Sequence, residues 1–217
     1  MNPACVALYY TKVLPLYPLS QFEGQICPER LAHLSKISHP QARACSLTGD
    51  LLLNKIVRSL FPDTDFPLIR ETAPGGKPYL PACPELHFSL SHSGNFVVCA
   101  ISPVPVGVDL ELPRAVHPGI AARWFSSAEQ ALLTQEPSAF FNLWMAKEAV
   151  LKEIGCGLCG GLQAVSVQLS PSPHLIAPVD GKWHALARTL LSDDLAVMVA
   201  IPGTQPPTVK VHPEIQL

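Results

Sequence analysis

The chain has 217 residues, enough for one large domain or two small ones at about 100 to 200 residues each. Hydrophobic residues make up 48% and Asp, Glu, Lys and Arg only 15%, against about 25% charged in ordinary globular proteins, which excludes a disordered acidic chain. Lys+Arg 15 against Asp+Glu 17 gives a formal charge of -2, so there is no global basic field for nucleic acid, and any phosphate site has to be a local cluster.

Residues 1 to 19 carry no basic leader, and Thr11, Lys12 and Pro15 break their apolar run, so no secretory signal is expected. The longest apolar stretch, residues 195 to 201, falls well short of the roughly 18 residues of a membrane span. The reading is a cytoplasmic chain with no membrane partner. Its seven cysteines are scattered and read as reduced, buried thiols. Cys156 and Cys159 have CxxC spacing without a second ligand pair, two ligands short of a structural zinc site.

From Pro40 a helical pattern runs to Phe61, with Leu47, Leu51, Ile56 and Leu60 along one face. The segments HFSLSH and NFVVCAIS follow as strands joined at Ser93-Gly94, a hairpin-type turn. A second helix is expected over 138 to 153, then strand-like segments at 164 to 170, 183 to 191 and 193 to 202. VVCAIS at 97 to 102 recurs as VMVAIP at 197 to 202. That repeat points to an internal duplication, each half a helix on a small antiparallel sheet. The last sixteen residues, PGTQPPTVKVHPEIQL, read as an irregular surface tail.

Three runs carry candidate chemistry. In Gly107-Val-Asp-Leu-Glu111 an extended backbone aims Asp109 and Glu111 to one side, with Val108 and Leu110 facing the core. Two carboxylates in one small volume repel, and a hard cation such as magnesium or manganese relieves that; a water-facing strand edge is the plainer alternative. On the later helix Trp144, Glu148 and Lys152 lie at four-residue steps, an ordinary surface ion pair unless the helix is buried, as its apolar circumference suggests. Lys77 and Pro78 in a Gly/Pro turn, and Ser91 and His92 at a strand end, offer donors for a phosphate.

Together, GKPYL, FSLSHS, GVDLE, WFSSAEQALL and FFNLWMAKEAVLKEIGCGL, with Glu148 39 positions after Asp109, resemble the 4′-phosphopantetheinyl transferases of the surfactin-synthetase-activating type over residues 40 to 202. The resemblance implies an enzyme that moves the phosphopantetheine arm of coenzyme A to a serine of an apo acyl, aryl or peptidyl carrier protein, releasing 3′,5′-ADP. It also implies a monomeric α+β pseudo-dimer of two similar halves, 1 to 105 and 106 to 217, with its site between them. Asp109, Glu111 and Glu148 would be the metal ligands, and Lys152 would lie over the pyrophosphate and protonate the departing ADP oxygen. Lys77, Pro78, Ser91 and His92 would hold the coenzyme, with Lys147 a lesser phosphate contact and Arg43 among the few basic residues available to the 3′-phosphate. The general base would be Glu148 or Glu129, although Ser126 to Glu129 also spells a capping box. A metal-dependent phosphohydrolase and a non-catalytic carrier-binding homologue are the competing readings.

Overall fold

The computed structural model describes residues 4–116, 119–157, 161–169, 175–192 and 195–217. The first sheet is built on β1 (Cys5–Lys12), β4 (His87–Ser93) and β5 (Phe96–Ser102), after two short strands, β2 (Glu71–Thr72) and β3 (Pro78–Tyr79). β5 pairs antiparallel with both β1 and β4. Strict alternation explains its position: Val97, Cys99 and Ile101 enter one core, while Val98 and Ala100 enter another.

The helix α2 (Pro40–Leu60) covers the outer face of this sheet, and α1 (Pro28–Ser35) packs beside it. Pro40 sits at the first helical turn, and the His39 side chain accepts from the Ala42 N–H, so the N-terminus is both pre-organised and capped. Leu52, Leu53, Ile56 and Val57 are buried against Phe88 and Val97, each contributing about 1.5–3 kcal/mol of apolar transfer.

The second sheet starts with β6 (Gly107–Leu110) and, beyond α3 (Gly119–Trp124), α4 (Ser127–Gln135) and α5 (Phe140–Ile154), continues through β7 (Gln168–Leu169), β8 (Leu175–Val179), β9 (Lys182–Ser192) and β10 (Leu195–Pro202). Its strand order is β6-β10-β9-β8-β7, antiparallel throughout. Val197, Val199 and Ile201 face the first sheet and share a core with Val6, Leu8, Val98 and Ala100, while Met198 and Ala200 face α5. The layers are therefore α2, first sheet, second sheet and α5, an α+β architecture in which the two sheets bury each other's inner faces. The repeated sequence VVCAIS and VMVAIP falls on β5 and β10, an interior strand of each sheet.

Two expectations are corrected. Of the described residues of 164 to 170, Ala164 ends a short 3-10 helix, 165 to 167 are irregular, and strand is confined to Gln168–Leu169. The proline-rich end is not irregular throughout: β11 (Thr208–Val211) lies parallel to β1, placing the last strand in the first sheet. His212 then stacks on Tyr9 at 4.2 Å, and the Ile215 N–H donates to the Tyr10 carbonyl. Prolines on either side confine the strand to an edge, where a missing donor costs no ladder bond.

Candidate active site

Strand β6 lies across the junction of the two sheets. It pairs through its backbone with β10, but toward β4 its amides meet side chains. The N–H groups of Val108, Leu110 and Leu112 donate to the hydroxyls of Ser89, Ser91 and Ser93 at 3.1, 3.3 and 3.0 Å. Period two on both strands brings alternate serines opposite alternate amides. The same hydroxyls donate onward: Ser91 to Asp109 Oδ1 at 2.8 Å, and Ser93 to Glu111 Oε2 at 3.0 Å. Each of these two serines thus fixes a backbone amide, Leu110 in β6 and Leu112 just beyond it, and aims a carboxylate.

α5 approaches from the other side. Its face of Leu143, Ala146, Ala149 and Val150 is buried, and Trp144, Glu148 and Lys152 are half-buried along the predicted stripe. The approach depends on Gly107, where a Cβ would stand 1.9 Å from the Ala149 carbonyl oxygen. Lys152 Nζ donates to Asp109 Oδ1 at 2.5 Å and to Ser91 Oγ at 3.0 Å.

Asp109 is 4% exposed, and its Oδ2 is buried without a hydrogen-bond partner. Burial pushes its carboxyl above the ordinary range, opposed by Lys152 and Ser91. Burial likewise raises Glu148, Lys152 opposes, and the neighbouring Asp109 and Glu111 add to the rise. The three carboxyls therefore feel one another. Arg114 donates to both oxygens of Glu111, at 2.5 and 3.4 Å. As the side chains stand, no three His, Cys, Asp or Glu among the described residues form a closed metal-holding group. Asp109, with its orphan Oδ2, Glu111 and Glu148 offer an all-oxygen set of a kind that suits a hard divalent ion.

A cavity of about 310 Å³ opens beside this cluster. Lys77, Pro78, Ser91, His92 and Lys152 line it, so the structure gathers five of the residues expected to hold a coenzyme. Partial desolvation in the cleft, with Lys152 next in effect, holds His92 below the usual imidazole range. Arg43 does not line the cavity, whereas Arg30, Ser46 and Arg70 do. Arg30 Nε and Arg70 Nη1 bind the two oxygens of buried Asp50 at 2.7 and 2.8 Å, and Arg30 also donates to Ser46 Oγ at 2.5 Å. Two guanidiniums on one carboxylate leave net positive charge on the cavity wall. Asp50 carried a sequence signal, an acid surrounded by α2's buried residues; Arg70, isolated in a loop, carried none.

Lys147 is not among the residues that line the cavity. It is 0% exposed, its ammonium lies 2.9 Å from Glu129 Oε2, and it donates to the carbonyls of Leu162 and Val165. It points into the second core, away from the cavity, because its position leaves the stripe of Glu148 and Lys152. Glu129 is held in the same place: it forms the full capping box with Ser126 and accepts from the Val167 N–H at 2.9 Å. The Glu129 carboxylate is thus occupied by Lys147 and the amides of Ser126 and Val167, whereas Glu148 shares its stripe of α5 with Lys152. Of the CxxC pair, Cys156 is a free thiol and Cys159 lies outside the described residues. No helix among the described residues is long and apolar enough to cross a membrane.

Comparison with known proteins finds the family model of the 4′-phosphopantetheinyl transferase superfamily matching residues 105–199, the segment that runs from β6 through α5 to β10. The chain is 36% identical over 205 residues to the 4′-phosphopantetheinyl transferase psf-1 of Bacillus pumilus, covering 92% of this chain and 85% of that protein. It is 32% identical over 162 residues to the 4′-phosphopantetheinyl transferase Sfp of Bacillus subtilis (strain 168), covering 70% and 72%. It is also 30% identical over 210 residues to the 4′-phosphopantetheinyl transferase HetI of Nostoc sp., covering 87% of each.

Proposed function

Because this chain belongs to the 4′-phosphopantetheinyl transferase superfamily, and to its Sfp type, we propose that it transfers the phosphopantetheine arm of coenzyme A to a serine hydroxyl of an apo carrier protein. The observation that carries the reading is Asp109, gripped by Ser91 and Lys152 through one oxygen, with the other buried and unpaired at the edge of a cation-lined cavity.

Asp109, Glu111 and Glu148 would hold magnesium or manganese, which when bound offsets charge on the pyrophosphate and helps align the groups for displacement. The chain's own residues do the rest. Lys77, Pro78, Ser91, His92, Arg30 and Arg70 line the cavity that receives the coenzyme, and Lys152 at its edge meets the phosphates. The carrier serine forms the new P–O bond while the bond to the 3′,5′-ADP oxygen breaks. Lys152 stabilises and protonates that oxygen, because an ammonium beside a developing oxyanion lowers the barrier where charge appears. Glu148, half-buried and raised in pKa, takes the serine proton late in the step, where a weaker acid is the better base. The site lies between α5 and the serine-lined edge of β4, so carrier and coenzyme meet where the two sheets join. A cytoplasmic monomer acting on a small acidic helical carrier completes the reading.

The test is intact-mass analysis of apo carrier proteins incubated with the chain, coenzyme A and magnesium. A gain of about 340 Da on the carrier is expected, with matching release of 3′,5′-ADP. Release without carrier would identify a phosphohydrolase, and no gain across acyl, aryl and peptidyl carriers would overturn the transferase reading.

A further inference from the structure

We infer that Lys77 is a positioning residue, a cross-tie holding β6 and α5 in one relative setting so that Asp109, Glu148 and Lys152 stay in place; as a statement about catalysis this rests on the transferase reading above. Lys77 Nζ donates to the carbonyl of Val106 at 3.0 Å and to the carbonyl of Glu153 at 2.6 Å. Val106 directly precedes β6, and Glu153 directly follows Lys152. One ammonium therefore joins the entry of the strand bearing Asp109 to the last turn of the helix bearing Glu148 and Lys152.

The chemistry suits a tie. An ammonium has three donors and no acceptor, and two of the three are committed to main-chain oxygens. The Glu153 carbonyl is among the last four of α5, which have no partner inside the helix, and a cation at that end is favoured by the helix dipole. Burial lowers the pKa of Lys77, with Glu153 the opposing charge, so the amine is desolvated by the groups it binds.

Backbone packing points the same way. Gly155 ends α5 at φ 80, and a Cβ there would lie 2.6 Å from Lys77 Cβ. A Cβ on Gly75 would lie 2.5 Å from the Gly155 carbonyl oxygen. The turn of residues 75 to 77 therefore presses on the helix end with no side chain between them. The turn belongs to the segment that precedes the first sheet's β4, whereas Val106 and Glu153 serve the second sheet and its helix. The tie thus crosses from one layer set to the other.

The resemblance implies instead a Lys77 that grips the coenzyme, and its side chain does line the cavity. The two roles separate kinetically: a ligand-gripping cation supports KM, while one that sets the geometry of reacting groups supports kcat. The experiment uses Lys77→Met and Lys77→Arg in the full chain, with coenzyme A, magnesium and an apo carrier. Lys77→Met is expected to lower kcat about tenfold or more with KM for coenzyme A within about threefold, and Lys77→Arg, which keeps the cation and its donors, to recover most of kcat. Amide hydrogen exchange without substrate is expected to speed up about tenfold at residues 153 to 157 in Lys77→Met, with α2 unchanged.

A KM raised tenfold at unchanged kcat, with unchanged exchange, would overturn the inference and make Lys77 a coenzyme contact. Should Lys77→Met fail to fold, Lys77→Gln takes its place with the same expected and overturning results. If the wild-type chain modifies no carrier, the transferase reading fails separately, and the exchange comparison still decides whether Lys77 ties the helix end.

Discussion

Lys152 Nζ and Asp109 Oδ1 stand 2.5 Å apart, joined by a side chain from α5 and one from β6 that are 43 residues apart in sequence. The ion pair occupies only one carboxylate oxygen and leaves Oδ2 buried and unmatched. Asp109→Asn keeps the volume and removes the charge. Turnover is expected to fall about a thousandfold, the scale of losing one electrostatic element of a transition state, while the thermal midpoint changes little because a desolvated carboxylate is also removed. Carrier-modification kinetics and a thermal melt check both; retention of most activity would show that Asp109 is no metal ligand.

Ser91→Ala strips a hydroxyl that accepts from the Leu110 N–H and Lys152 and donates to Asp109. The buried amide and carboxylate lose a partner together, so a stability loss of about 1–3 kcal/mol is expected in urea unfolding. Turnover should drop about 10- to 100-fold, the usual cost of removing a group that orients a metal ligand. A variant indistinguishable from wild type in both would remove Ser91 from the site.

For Lys147→Met the expectation is lost stability, about 3–5 kcal/mol, because Glu129 is left charged and buried without its partner. KM for coenzyme A should stay within about twofold. The pH dependence has a defined sign. Burial lowers Lys147 from its ordinary 10.5, so just below that value the unfolded chain binds more protons than the folded one, and stability from this group rises with pH. The margin of wild type over Lys147→Met should therefore widen as pH climbs toward 10.5, measured by urea titration at several pH values. A shrinking margin would contradict the burial argument.

Arg30 and Arg43 make a paired comparison. Arg30 lines the cavity and is braced by Asp50 and Ser46, whereas Arg43 is not part of the cavity wall. Arg30→Met is expected to raise KM for coenzyme A about tenfold, a charge-assisted bond's worth of affinity. Arg43→Met should leave it within about twofold, since a solvated cation at a distance is screened. Steady-state kinetics at low and high salt decides, and the reverse order would relocate the anion-binding wall.

Much of this was legible in the sequence because it rests on periodicity. Alternation in GVDLE places Val108 and Leu110 in the core and turns Asp109 and Glu111 toward the serines of β4. Four-residue spacing set Glu148 and Lys152 on one stripe of α5. What escaped depends on contacts distant in sequence. Lys147 reads as a lesser phosphate contact until the fold puts Glu129 beside it. Arg70 gains meaning only when Asp50, on another element, reaches it. The strand at Thr208–Val211 was hidden by its flanking prolines, and only β1 across the molecule supplies its ladder.

The serine hydroxyls between β4 and β6 have one further consequence. Peptide groups are common to every residue, so in an ordinary ladder most substitutions leave the donors and acceptors in place, proline excepted. A seam stitched by Ser89, Ser91 and Ser93 can be unpicked one stitch at a time, by single codon changes. Each such loss would leave the ladders of β4 with β5 and of β6 with β10 in place, so the join between the sheets rests on three separate side chains and neither sheet on them.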